Sequence, residues 1–498
     1  MPYNFNSENV DPSATSSRSA TPVDSLPVQV LRPKELPVQP THIELDACED
    51  PKKMSFIHKW TIVSIISLSA LCVTCNSGVA PFTENGIQRS FGISPEVSIL
   101  SISLFSEGLG LGPLLLGPLS EFYGRNLVYW ISYACFWLST FPVAFAPNAP
   151  VHLVFRFWCG FAGSAFLSVA GGSISDLFTD ATLATPMAVY TLCPFIGPVL
   201  GPAISGAINQ HLDWRWTYYI ELIWESAQFI CLIVFVPETH VPTLLRRKIS
   251  KLREATGDSS YGADSLAPRQ GVFHAVVQSC VRPFQLIIHE QMILFLDLWN
   301  ALILGILYLT FQAYPIIFEN GHGYSMQSTG FTFLAIGLGM LISLGTQPYW
   351  NRLEACMSAR CCGASPPELR LIMGQAGGIL VPCALLIMAF TASPHITPAL
   401  PILASIPFGT GIIYVFTSTF TYLVAAYRTY AASALASNAA FRLTFAAVFP
   451  LFAKQMCNRL GIEGALGLLA GLTALACPLP FIFAKVGERL RSKSRFAV

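Results

Sequence analysis

The chain has 498 residues, 53% of them hydrophobic and only 11% charged, with a mean hydropathy of +0.54. Soluble domains carry roughly 25% charged residues, so a single water-soluble core is excluded, and a net charge of +1 offers no electrostatic footprint for nucleic acid. The sequence holds no P-loop, metal-ligand spacing or nucleophile motif, so no catalytic residue, metal or cofactor is assigned, and neither ATP drive nor an enzymatic role is expected.

Residues 1–57 are rich in Pro, Ser, Asp and Val without helical periodicity, the composition of a disordered tail. No apolar core lies near Met1, so the first span is expected to serve as the insertion signal. Beyond it the apolar residues fall into blocks of about 20, the length of a helix that crosses a bilayer. They lie at about 60–82, 97–116, 127–146, 151–173, 183–207 and 216–236, then at about 290–318, 327–347, 371–391, 399–424, 431–452 and 464–484. The expected fold is an all-α integral membrane protein with twelve transmembrane helices in two six-helix halves, residues 58–236 and 285–484. A central loop (237–284) joins them and a basic tail (485–498) ends the chain. Such a transporter keeps its site between the halves, near the midplane.

Basic residues set the orientation. Lys52, Lys53 and Lys59 precede span 1, Arg246, Arg247 and Lys248 stand in the central loop, and Lys485, Arg489 and Arg491 close the chain. Few cations flank the other ends of the spans, so both termini and the central loop are expected on the cytoplasmic side. Of the 14 cysteines, Cys72, Cys75, Cys159, Cys193, Cys231, Cys383 and Cys477 lie inside apolar blocks and read as small buried hydrophobes rather than a disulfide framework. Cys361-Cys362 falls in a polar loop with no histidine nearby.

Taken in chain order, span 2 carries Glu107 near its middle, in Phe105-Ser106-Glu107-Gly108-Leu109-Gly110. A carboxyl inside lipid is a candidate proton carrier. Asp297, early in span 7, and Glu225 in span 6 are further candidates; Glu221, one turn before Glu225, is expected at the interface. The other reading ties each acid to an arginine or polar partner. Between spans 2 and 3, Gly117 and Gly124 bracket a tight hairpin whose charges are Glu121 and Arg125. Span 4 opens with Val154-Phe155-Arg156-Phe157; an arginine at that depth needs a partner or a cavity, or else snorkels to the interface. Span 5 contains Gly197-Pro198-Val199-Leu200-Gly201-Pro202, where proline bends the helix and glycine admits a neighbour. Span 7 places Asn300, Tyr308 and Gln312 at helical spacing, and span 11 places Asn438 one turn before Arg442. Aromatics with a few hydrogen-bonding groups suit a bulky, mostly apolar ligand; ordinary helix packing is the alternative.

The stretch Gly117, Leu119, Glu121, Gly124, Arg125 resembles the signature between helices two and three of the major facilitator superfamily, with Glu121 where Asp is more usual. The Arg156 segment resembles the family's fourth-helix motif, whose arginine is associated with proton coupling. Gly197-Pro198 and Gly201 resemble the antiporter motif, with Cys193 and Pro202 where glycine is usual. Asp213-Trp214-Arg215-Trp216, Pro237-Glu238-Thr239 and Arg282-Pro283-Phe284 are similar to pieces of the fungal drug:proton antiporter group with twelve spans. Departures are Ala181-Thr182-Leu183, Ala425 and Gln312, the last where several relatives carry glutamate.

The resemblance implies that Arg125 pairs with an acid at the end of span 4, for which Asp176 is the candidate, and that Glu121 caps a helix of the opposite half, both as gating contacts. It implies proton-coupled efflux of hydrophobic or amphipathic small molecules such as a drug, toxin or secondary metabolite. The partners are then the substrate, protons and the lipid bilayer, with a monomer expected in the plasma membrane or, alternatively, the vacuolar membrane. An importer or polyamine carrier of the same fold, or a non-transporting membrane sensor, are the alternatives.

Overall fold

The computed structural model describes residues 50–179, 182–256, 272–359, 366–492 and 494–496. Most of the amino-terminal tail, Ala181, the middle of the central loop and Cys361-Cys362 lie outside them. Among the described residues there are helices and turns and no strand.

Among the described residues, eleven helical segments are long and apolar enough to cross a membrane. They are Phe56–Phe91, Pro95–Tyr123, Arg125–Ala144, Ala149–Leu177, Thr185–His211 and Arg215–Phe235, then Gln291–Gly321, Met326–Ser358, Pro367–Thr391, Ala399–Ala426 and Ala431–Arg491. The last is two spans. Its backbone leaves helical geometry at Gly461, where φ is 71° and ψ 163°. Only glycine reaches that region without steric cost, and the chain reverses there. Spans 11 and 12 are therefore 431–460 and 462–491, and the total of twelve is reached.

The helices outrun their apolar blocks. Span 8, expected to stop near 347, continues to Ser358, and span 12, expected over 464–484, runs to Arg491. An apolar run measures the hydrocarbon thickness of about 30 Å. The helix itself continues into water wherever its residues still favour it. The central loop also holds helices, Val241–Thr256 and Val272–His289. The second packs on spans 2 and 11.

Because each span reverses the chain, residues 50–56, 123–125, 236–240, 289–291, 426–431 and 491 share one end of the bundle, the terminal end. The opposite, far end carries 84–95, 144–149, 211–215, 315–326, 391–399 and 460–462. Large apolar side chains such as Ile131, Leu138, Ile223, Ile230, Phe390 and Leu475 point outward, as a lipid-facing surface requires. Contacts between the halves run through spans 2 and 11 and through spans 5 and 8.

Candidate functional site between and within the halves

In the first half, a polar cluster is buried toward the far end. Arg156 is 0% exposed, Glu225 0% and Glu221 2%. Among the described residues no carboxylate pairs with the arginine. Its Nε donates to the Ser101 carbonyl (3.0 Å), its Nη2 to the Asn76 carbonyl (3.0 Å) and its Nη1 to Asn76 Oδ1. The Phe105 ring faces the guanidinium at 4.5 Å, a favourable cation–π placement. Asn76 then donates from Nδ2 to Glu225 Oε1 at 3.1 Å, which also accepts from Thr140 Oγ1 at 3.1 Å. Asn76 thus relays between cation and acid. Glu221 is not interfacial as expected. The face of span 6 that carries Glu225 turns inward, and Glu221, one turn away, follows it.

In the second half the polar cluster lies nearer the terminal end. Asp297 is 0% exposed and accepts from Ser437 Oγ (2.9 Å) and Asn438 Nδ2 (2.8 Å). Asn438 Oδ1 accepts from Asn300 (3.4 Å), whose own Oδ1 accepts from Thr419 (3.3 Å). Asp297, Asn300 and Asn438, singled out separately in the sequence, form one chain of hydrogen bonds across spans 7, 10 and 11.

Among the described residues, three hydrogen bonds cross between the halves. Glu107 is half-buried and accepts from Thr444 of span 11 at 3.3 Å. The hydroxyls of Tyr308 and Ser77 are 2.9 Å apart. Gln312 donates to Glu84 Oε1 at 2.6 Å, at the far end. There the Phe82 and Phe333 rings also meet edge to face at 6.4 Å. Arg442 rests against Phe195, Phe416 and Phe420. A separate cavity of about 560 Å³ lies among spans 8, 9 and 10, lined by Trp350, Glu354, Arg370 and Thr421 among others. Among the described residues none from the first half lines it, so it is not the seam between the halves.

At the terminal end the hairpin between spans 2 and 3 turns at Gly124, whose φ is 97°. A side chain there would strike the Glu238 carboxylate. Arg125 Nε stands 3.5 Å from Asp176 Oδ2, the expected pair, and its Nη1 donates to Ser120 Oγ at 2.7 Å. Gly117 faces Ser168 of span 4 with ordinary room, 3.9 Å from an added Cβ. Glu121 is exposed and makes no hydrogen bond or ion pair among the described residues, so the cap expected of it on the opposite half is not made in this conformation. The acid that caps here is Glu238. Its Oε1 accepts from the backbone N–H groups of Arg125 (2.9 Å), Thr239 (3.1 Å) and His240 (3.0 Å). Pro237-Glu238-Thr239 stood out in the sequence without a role, because the cap joins segments more than a hundred residues apart.

The antiporter-like segment packs span 5 on span 1. A Cβ on Gly201 would overlap the backbone of Gly78, and one on Gly197 would overlap Thr74. Pro198 lies opposite, its carbonyl 2.8 Å from where a Gly78 Cβ would stand. Pro202 denies that carbonyl its helical donor.

The sequence matches a family model described as Major Facilitator Superfamily over residues 65–448. Among curated proteins, it is 42% identical to "Efflux pump atB" of Aspergillus terreus, over 91% of this chain and 88% of that protein. It is 37% identical to "Probable drug/proton antiporter YHK8" of Saccharomyces cerevisiae, over 90% and 87%. It is 34% identical to "Major facilitator superfamily multidrug transporter mdrA" of Aspergillus fumigatus, over 90% and 74%. Among solved structures, the human organic anion transporter MFSD10 superposes with a TM-score of 0.59 at 17% identity, covering 85% of this chain and 99% of that one; this likeness is one of fold.

Proposed function

The chain belongs to the Major Facilitator Superfamily, and from that premise we propose that it exports hydrophobic or amphipathic small molecules against inward proton flow, by alternating access. The similarity to proteins named as efflux pumps and as a drug/proton antiporter supports export. One structural observation carries the coupling. Glu107 sits in the seam between the halves and accepts a hydrogen bond from Thr444 of the opposite half. A contact across the seam exists in one conformation and not in the other. Protonating its carboxylate therefore biases the equilibrium between them.

Within this reading Arg156, Glu225 and Asp297 are further members of the proton path. The Arg125–Asp176 pair, with Glu121, Gly117 and Gly124 around it, is the terminal-end latch. Gly197, Pro198 and Gly201 let span 5 move against span 1 without voids. Asn300, Tyr308, Gln312, Asn438 and Arg442 line the substrate route. With basic residues concentrated at the terminal end, that end faces the cytoplasm, and the plasma membrane is the site of action.

The test is accumulation of a fluorescent hydrophobic dye in pump-deficient yeast expressing the chain. Lower accumulation that a protonophore abolishes is expected. Glu107→Gln should lose the protonophore-sensitive part at normal surface expression, by about tenfold or more. Higher accumulation than in control cells would reverse the direction, and full proton-driven export by Glu107→Gln would remove this carboxyl from the coupling.

A further inference from the structure

Two arginines lie deep in the spans, and they are treated differently. Arg156 commits its donors to Ser101 and Asn76. Arg442 does not: its Nε and Nη1 are shut off from the surface and meet no acceptor among the described residues. What surrounds it is aromatic. Its guanidinium carbon lies 5.5 Å from the ring centre of Phe195, 5.7 Å from Phe416 and 5.1 Å from Phe420. Phe195 comes from the first half and the other two from span 10, and Phe195 stacks on Phe416 at 4.7 Å. Arg442 therefore stands in the seam, between the surfaces that alternating access moves.

Ring faces attract a cation without neutralising it. Asp297, an acid elsewhere on the same side of the seam, accepts from Ser437 and Asn438, one on each oxygen, and makes no ion pair or hydrogen bond with Arg442 among the described residues. The Tyr190 hydroxyl donates to the Phe166 carbonyl, and those of Tyr308 and Ser77 lie 2.9 Å apart; among the described residues neither tyrosine accepts a hydrogen bond from Arg442. A guanidinium offers a planar fork of N–H donors that matches a carboxylate. This fork is held by three rings at a depth where a charge needs a counter-charge.

We propose that Arg442 is the anion-binding group of the transport site, and that the transported molecules include amphipathic organic acids. The carboxylate lies on the Arg442 fork, and the apolar or aromatic body lies against Phe195, Phe416 and Phe420. The proposal rests on the transport reading above for movement and direction, while binding stands by itself.

The experiment uses the full chain purified in detergent near neutral pH and three probes of one shape: naphthoate, its neutral amide and the corresponding aminomethyl cation. Affinities are read by calorimetry. Naphthoate should bind about tenfold or more tighter than the other two. Arg442→Gln should erase that preference and Arg442→Lys should keep part of it, because lysine retains the charge but not the fork. Equal binding of the three, binding of none, or a preference that survives Arg442→Gln overturns the proposal. So does an Asp297→Asn variant that reproduces the Arg442→Gln pattern, since Arg442 would then serve Asp297 and not a ligand. Export of a neutral dye by the wild-type chain separates the two readings. Export without acid preference overturns this proposal alone, and acid preference without export supports it while overturning the exporter reading.

Discussion

Glu238 shows how much one side chain fixes. Its Oε1 satisfies three backbone donors at the elbow where span 6 ends beside the start of span 3. Leaving a buried donor unpaired costs about 1–3 kcal/mol. Glu238→Ala should therefore lower the stability of the first half by at least about 2 kcal/mol, seen as an earlier thermal unfolding transition, whereas Glu238→Gln, which still accepts, should lose less. His240 adds a pH dependence at the same place. Burial, then the nearby Arg125, push its imidazole below the ordinary value of 6.5, with Glu238 opposing and Arg246 adding to the effect. The unfolded chain then binds the proton more readily than the folded one, so stability is full above 6.5 and falls as the pH drops below it. Unfolding curves from neutral to mildly acidic pH should show this decline, and His240→Gln should flatten it.

At the scale of elements, close approach of helices decides what is tolerated. Spans 1 and 5 meet through Gly78, Gly197, Pro198 and Gly201, with no room for a side chain at Gly201. Without a hydrophobic drive between helices in lipid, such small-residue packing is a main source of association. Gly201→Leu should cost about 1–3 kcal/mol through overpacking and depress both the detergent unfolding temperature and transport. A leucine at Gly345, where an added Cβ meets nothing within 4 Å, should be tolerated; equal damage at both positions would refute the packing argument. Gly461 acts differently: nothing crowds it, but its φ of 71° suits no L side chain without strain. It is what separates span 11 from span 12 within one continuous helical stretch.

The whole molecule is held shut at the far end in this conformation. Gln312 and Glu84 hydrogen-bond across the halves, and Phe82 meets Phe333. Gln312→Leu would strand a buried carboxylate and weaken the far-end-closed state by about 1–3 kcal/mol, shifting the population toward far-end-open protein by roughly 5- to 150-fold. The readout is alkylation of a Ser77→Cys reporter by an impermeant maleimide applied from the far side, followed by peptide mass spectrometry. Faster labelling in the Gln312→Leu background is expected; an unchanged rate would show that this bond does not hold the closure.

The sequence by itself determined the class, the twelve spans and the halves, because the thickness of lipid imposes a length on every apolar block and no water is present to blur the pattern. It also located Arg125 and Asp176 as a pair, through the resemblance their segments carry. It did not place Glu221, whose burial depends on which face of span 6 turns inward, nor find Asn76, Thr140 or Thr444, ordinary polar residues until a partner from a distant span meets them. It could not show that Asp297 and Asn438 are bonded while Nε and Nη1 of Arg442, one turn further, find no acceptor among the described residues. Those outcomes belong to the tertiary structure. A buried polar group is defined by its neighbours, and in a bundle of twelve helices the neighbours come from spans far apart in the chain.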